Sequence, residues 1–475
     1  MKRCSVVGLV ETKENFAPID SNSIVVSVIL PKVHTETKYG VGAFINKAKH
    51  SLVATNLLSS ELLNLSALVY AADTRMSRED YSQDGWTREF DIYFPVNNIV
   101  EWDPLVIKIQ DLLSFITGDF WKIHLRERPL AHKLEIMVLP TTETPVLPVK
   151  VVSLLSGGLD SFIGAIDILS DKTDSLFVGH YTKDGTQKYQ IAVEEILTKT
   201  FPDNFKGYAK GCIIFDKHVF GSEYGNVQAE NSQRSRSFMF LSMAAYLASS
   251  MGTRCKLIVP ENGFIALNVP LDPLRLGANS TKTVHPNFMV KMAEIFDGLN
   301  LDIELLNPYR HMTKGEMMTQ CSNAGLLADH ANKTLSCASQ GKMRWDKGGL
   351  KAKRLGGSGG SGNCGYCYPC LIRKASFIKA GIEDKTNYVA IPNLATANIR
   401  VGKSGSAYAE SKDILSVQYA GYRLANGLIN PMIEIHKSGT LSGVYDEWSD
   451  IAGMYERGLA EVYDLVKDVT VTRTN

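Results

Sequence analysis

From residue 150 onward the apolar positions switch back and forth between two periods. Short apolar runs at 151–155, 175–181, 207–215, 256–259 and 302–306 read as buried strands. Between them, segments at 162–169, 186–200, 235–250 and 286–299 repeat apolar residues at helical spacing. Strands alternating with helices predict an α/β fold: a central five-stranded parallel sheet, doubly wound, with its ligand crevice at the carboxyl ends of the strands.

The flanking regions read differently. Residues 1–148 form a strand-rich unit, with strands expected at 24–30, 65–71 and 88–94, and a hairpin over 120–139 that turns at Arg128-Pro129. One amphipathic helix, 104–116, interrupts them, and Val146-Leu147-Pro148 reads as the joint to the α/β unit at 149–384. Residues 385–475 read as a helical extension with helices at 411–426 and 444–467, the second carrying a regular apolar packing face. Residues 340–363, rich in Lys, Arg, Gly and Ser, read as a flexible loop.

Composition narrows the class. A chain of 475 residues exceeds one hydrophobic core, so two or three domains are expected. With 44% hydrophobic and 21% charged residues it has the make-up of a soluble globular protein. A formal net charge of +1 excludes long-range steering toward nucleic acid or a membrane surface. A nucleic acid would have to be gripped locally, by Lys342, Arg344, Lys347, Lys351, Lys353 and Arg354 in the Gly/Ser-rich loop. No apolar stretch has the length of a bilayer span, and Met1 leads into no signal-peptide core, so the cytoplasm is the expected compartment.

Two motifs carry chemistry. The first is Ser156-Gly157-Gly158-Leu159-Asp160-Ser161, which follows the apolar run ending at Leu155 and opens a helix. Two glycines let the main chain approach a ligand closely, and a helix N-terminus presents N–H groups to an anion. Ser156 and Ser161 add hydroxyl donors. The Gly-Lys-Ser/Thr of a Walker loop is missing. The second motif is Cys364-Gly-Tyr-Cys367-Tyr-Pro-Cys370, with Cys337 available as a fourth thiolate. Clustered cysteines in a chain without an export signal point to metal, and four thiolates would close a structural zinc site. A dithiol redox pair and an iron–sulfur centre are the alternatives, with His330 a possible substitute ligand.

Together and in this order, the motifs resemble those of the PP-loop ATP pyrophosphatases, and within them the 7-cyano-7-deazaguanine synthase (QueC) family. That family joins an SGGxDS loop to a late Cys…Cys-Gly-x-Cys-x-x-Cys…Arg cluster, here Cys337, Cys364, Cys367, Cys370 and Arg373. The run from Arg236 to Ala245 is similar to the family's segment entering a helix after the third strand, and Pro308 with Thr313-Lys314-Gly315-Glu316 to the one after the fifth. The likeness covers residues 150–380. The family's Ser-Gly-Tyr-Pro-Asp-Cys base-binding segment is absent; Glu261-Asn262-Gly263-Phe264, Asn268-Val-Pro-Leu271, Ser280-Thr-Lys-Thr283 and His285-Pro286 stand there instead. This departure, with a long N-terminal part containing Asp84-Gly-Trp86-Thr-Arg88, resembles the QueC-like proteins of bacterial anti-phage systems, the Qat system among them.

The resemblance implies an enzyme that uses ATP, with Mg²⁺, to adenylate the carboxylate of 7-carboxy-7-deazaguanine for attack by an amine. The loop Leu155–Ser161 would hold the outer phosphates, with Asp160, Arg236 and Lys314 as catalytic groups and Arg373 at the substrate. Glu261 and Asn262 are placed to read the base edge, and Phe264 to stack on it, unless it is a core residue. The added regions are expected to redirect the adenylate to an amine on a partner protein encoded beside it, docked by the N-terminal unit. Nitrile-forming deazaguanine synthesis, tRNA base modification and a non-catalytic nucleotide-binding scaffold are the competing expectations.

Overall fold

The computed structural model describes residues 3–11, 14–30, 40–48, 51, 54–135, 149–181, 185–213, 230, 233–272, 282–338, 340, 350–402 and 408–473. The expected joint at Val146-Leu147-Pro148, the end of the expected hairpin at 136–139, Ser280, and Lys342, Arg344 and Lys347 lie outside these residues.

The chain is mixed α/β with parallel sheets. Two sheets, one of four strands and one of five, dominate. In the first, β1 (Cys4–Leu9), β2 (Ile24–Ile29), β3 (Glu89–Val96) and β4 (Phe120–Glu127) run in the order β2-β1-β3-β4, and every pairing is parallel. In the second, β5 (Val151–Leu154), β6 (Ser175–His180), β7 (Phe205–Gly211), β8 (Cys255–Ile258) and β9 (Ile303–Leu306) run in the order β7-β6-β5-β8-β9, again all parallel. Val152 of β5 lies opposite Leu176 on one side and Leu257 on the other, so the middle of the sheet is apolar on consecutive strands. Parallel strands need crossover connections, and the helices Leu159–Ser170, Gln187–Thr200, Arg236–Ser249 and Pro286–Gly298 supply them. The strand order reverses between β5 and β8, which opens a crevice beyond their carboxyl ends.

Two expectations for the N-terminal unit fail. Residues 65–71 are not a strand but the middle of the helix Leu57–Arg75, whose start is capped by Asn56 Oδ1 accepting from Ser59 N–H at 3.0 Å. That helix is buried along most of its length, and a short apolar run in a buried helix has no period to tell it from a buried strand. Residues 120–139 form no hairpin among the described residues. Phe120–Glu127 pairs in parallel with Glu89–Val96, and the crossover is the expected amphipathic helix, observed at Val106–Thr117. Beyond Arg128-Pro129 the chain makes a short 3₁₀ turn, Leu130–His132.

One continuous apolar core runs from the first sheet through the helix Leu57–Arg75 to the helix Arg236–Ser249 and one face of the second sheet. The helix Arg236–Ser249 is apolar nearly all round because it is covered on both sides. A buried ionic hub fastens this seam. Arg88 Nη2 lies 2.8 Å from Asp73 Oδ1 and 2.8 Å from Asp119 Oδ2, and Arg78 Nη1 lies 2.7 Å from Asp119 Oδ1. Asp73 Oδ2 also accepts from Ser235 N–H and Oγ–H, both at 2.9 Å, which anchors the start of Arg236–Ser249. The other face of the second sheet has its own core, and a third core joins the cysteine cluster to the C-terminal helices Ala409–Ala425 and Trp448–Val466. Among the described residues, no helix is long and apolar enough to cross a membrane.

Candidate functional site

Residues 156–158 turn sharply between β5 and the helix Leu159–Ser170. Gly157 sits at φ +80°, and a Cβ there would lie 2.9 Å from Gln190 N, so both conformation and space demand glycine. The serines knit the turn together. Ser156 Oγ and Ser161 Oγ are 3.1 Å apart, Gly158 N–H donates to Ser156 Oγ at 3.2 Å, and Ser161 Oγ–H donates to Gly158 O at 3.0 Å. No side chain caps the helix start at Gly158, so its first N–H groups remain available for an anion at the crevice.

Asp160, in the first turn of that helix, gathers residues from two other strand ends. Lys314 Nζ lies 2.7 Å from its Oδ1, and Asn262 donates from Nδ2 to its Oδ2 at 2.6 Å. Lys314 follows β9 at the start of a short helix, where Thr313 caps it and Glu316 completes a capping box. The helix Trp448–Val466 braces this turn: Thr313 Oγ–H donates to Glu461 Oε1 at 2.7 Å, and Arg457 Nε donates to Glu316 Oε1 at 2.6 Å. Glu261 follows β8. Burial and the Asp160 carboxylate push its carboxyl up to about 8, with Lys314 pulling the other way.

Arg236 opens the helix after β7 and borders a pocket with Leu155, Ser156, Gly179, His180 and Phe240, over the ends of β5 and β6. Its guanidinium stands 5.0 Å from the Phe240 ring centroid. Leu155, Ser156 and Arg236 thus line one pocket, and Asp160, Lys314 and Glu261 form a separate charged group after β5, β8 and β9.

Three expected substrate residues do other work. Phe264 is 1% exposed and packs against Tyr368 and Tyr455, so it is core and cannot stack on a ligand. Arg373 is fully buried. It donates to Thr334 Oγ1, Ser336 Oγ, Thr386 Oγ1 and Ala331 O, which leaves it as a pillar for residues 331–336. Asn262 spends Oδ1 capping the helix Gly263–Leu267 and Nδ2 on Asp160, so it positions the carboxylate and reads no base edge.

The four cysteines Cys337, Cys364, Cys367 and Cys370 converge, all their sulfurs lying within 4.8 Å of one another. The Cys337–Cys367 and Cys364–Cys370 sulfur pairs are 3.8 and 3.9 Å apart. Tetrahedral zinc with bonds of about 2.3 Å has edges of about 3.8 Å, so the donor set fits one such ion. Cys364 N–H donates to Cys337 Sγ and Cys367 N–H to Cys364 Sγ, both at 3.3 Å, bonds that favour thiolates. Gly365 makes the turn at φ +86°, where a Cβ would strike Ile391 O at 2.1 Å. His330 ends a separate helix and is not in the cluster.

The cysteine cluster and the glycine turn at 156–158 are mechanically joined. Arg373 and Asn363 hold residues 334–336, and Leu335 N–H donates to Gly157 O at 2.9 Å. Sequence reasoning missed this link, which no local pattern signals. It also read residues 340–363 as flexible. Among the described residues the segment forms the helix Leu350–Arg354, and Gly357 packs so closely that a Cβ would lie 2.4 Å from Val389 O. Lys351 and Arg354 are committed to the buried Glu410 carboxylate.

No protein-family model matches the chain, and no curated protein matches its sequence.

Proposed function

We propose that the protein is a QueC-like enzyme that cleaves ATP to AMP and pyrophosphate to activate a carboxylate, 7-carboxy-7-deazaguanine, for attack by an amine. The observation that carries this reading is the convergence of Asp160 and Lys314 beside an uncapped helix N-terminus, at the crevice where the sheet reverses. Helix N–H groups, Ser156 and Ser161 would grip the outer phosphates. Arg236, across the ends of β5 and β6, supplies positive charge on the other side. Both cations then face charge that grows as the bond to the α-phosphate breaks.

In the first step a substrate carboxylate oxygen bonds to the α-phosphorus and pyrophosphate leaves, giving an acyl adenylate. In the second, the amine bonds to the acyl carbon, AMP leaves, and the amine loses a proton. A divalent cation held at Asp160 would offset phosphate charge. Zinc at the four cysteines would be structural, since all four positions are filled by thiolates. Through Leu335 and Gly157 it would set the height of the phosphate loop.

The N-terminal unit and the C-terminal helices add surface that delivery of ammonia does not need, which supports an amine borne by a partner protein in anti-phage defence. The commitment of Lys351 and Arg354 to Glu410 weighs against an RNA grip by the basic segment. Incubation with ATP and the acid substrate tests the core claim: AMP and pyrophosphate are expected. Release of ADP and orthophosphate overturns it. Intact mass of a candidate partner before and after reaction tests the acceptor, and free nitrile with an unmodified partner returns the protein to deazaguanine synthesis.

A further inference from the structure

A second cavity, with neither Asp160 nor Lys314 in its wall, lies where three distant parts of the chain meet. Its wall combines Trp86 and Phe115 of the N-terminal unit, Arg234, Asn268 and Lys282 of the central unit, and His436 and Lys437 of the C-terminal part. Its volume is about 270 Å³, just under the range of drug-sized ligand pockets and enough for inorganic phosphate or a small phosphate ester. Among the described residues no Asp or Glu lines it. Lys437 lies 2.5 Å from Glu434 outside the wall.

Lys282 and Arg234 are each held by a backbone carbonyl and an aromatic ring, and Arg234 also feels the Asp119 and Asp73 carboxylates. Lys282 Nζ donates to Phe115 O at 2.9 Å and stands 3.8 Å from the Phe115 ring centroid. Arg234 is 6% exposed, donates from Nη1 to Thr117 O at 3.0 Å, and stacks 4.3 Å from the Trp86 ring. Gly118 (φ +74°) and Gly439 (φ +137°) bring the backbone close to these cations: a Cβ would lie 3.5 Å from Arg234 Nη1 at the first, and 2.8 Å from the Phe115 ring and 3.4 Å from Lys282 Nζ at the second. Burial first, and then the Arg234 charge, push the Lys282 ammonium down to about 8, and a negative ligand beside it would favour the charged form.

We propose that this cavity binds a small oxyanion, inorganic phosphate or a phosphate monoester, between Lys282, Arg234 and Lys437, with Trp86 as an aromatic wall. Occupation would tie the N-terminal unit, the segment after β8 and the C-terminal part to one charge. The proposal stands apart from the ATP reading, because its wall contains no residue of the phosphate-type loop.

Trp86 provides a local reporter. The full chain is titrated with inorganic phosphate and with AMP at constant ionic strength, and tryptophan emission is followed. A saturable change is expected, absent in Trp86→Phe, weakened at least tenfold in Lys282→Met and measurably in the surface variant Lys437→Met, and retained in Lys314→Met. Near-UV circular dichroism establishes that each variant is folded. Equal affinity for the two ligands assigns the site to the phosphate group alone, and tighter AMP binding to a nucleotide; both support it. The proposal is overturned by no saturable response, or by one that survives Lys282→Met and Lys437→Met unchanged. A response lost in Lys314→Met but kept in Lys282→Met overturns it too, since binding then belongs to the phosphate-type loop.

Discussion

The ammonium of Lys314, after β9, stands 2.7 Å from the Asp160 carboxylate, after β5, although four strands, β6 to β9, and several helices separate them along the chain. Both side chains are nearly buried, so removing either leaves the other without its ion-pair partner. A nucleotide entering here would meet a cation already aimed at the loop.

Lys314→Met is expected to lower the rate of pyrophosphate release by about 10²–10³-fold, the usual loss when a charge-stabilising donor is removed from a reacting site. Pyrophosphate assayed with ATP and the acid substrate measures it. A rate within threefold of the parent would remove Lys314 from the mechanism. Circular dichroism separates this from unfolding, because Asp160 keeps its bonds from Asn262.

Cys367→Ser is expected to abolish bound metal and to weaken ATP binding together. The second effect follows from the path Cys337, residues 334–336, Leu335, Gly157. Metal content by mass spectrometry and nucleotide affinity by calorimetry check it. Loss of metal with unchanged ATP affinity would show that the link carries no strain.

Arg88→Met is expected to destabilise the fold by about 3–5 kcal/mol, because Asp73 and Asp119 would be left buried without their shared cation. Denaturant unfolding measures this. Asp73 also holds Ser235, so the helix that starts at Arg236 should fray and the Arg236 side of the crevice loosen with it.

His285 governs an acid-side loss of stability. It is fully buried, its Nδ1 accepts from Asn287 N–H at 3.2 Å, and its Nε2 meets Ser438 Oγ at 3.0 Å, a set suited to the neutral ring. Burial and the Lys282 charge push it down to about 3 from an ordinary 6.5. The unfolded chain therefore binds this proton first, and stability falls as pH drops from 6.5 toward 3, by up to about 1.4 kcal/mol per pH unit. Melting temperatures of the parent and His285→Gln at pH 7.5 and 5 check it: the gap between them should narrow in acid.

Much of the site was legible locally. The run Ser156 to Ser161 declares a glycine turn into a helix within six residues, and Cys364-Gly-Tyr-Cys367-Tyr-Pro-Cys370 declares a thiolate cluster with its turn-forming glycine. The five strands around them followed from apolar period and length. The illegible parts depended on partners far away in sequence. Nothing near Asn262 reveals that its amide is spent on Asp160, and nothing near Arg373 reveals that Thr334, Ser336 and Thr386 surround it. Residues 65–71 misled for the same reason: their apolar run is equally consistent with a buried strand until the covering helix Arg236–Ser249 is known.

By itself, then, the sequence determined the parallel α/β unit, the glycine turn into a helix and the cysteine cluster, because turn conformation and close cysteine spacing act over a few bonds. Tertiary structure alone decided that Phe264 and Arg373 are buried supports, that Lys314 answers Asp160, and that three remote segments enclose a second positive cavity. Charge pairing and burial are set by distance in space, and a linear pattern holds no record of which distant residues will share a dry interior.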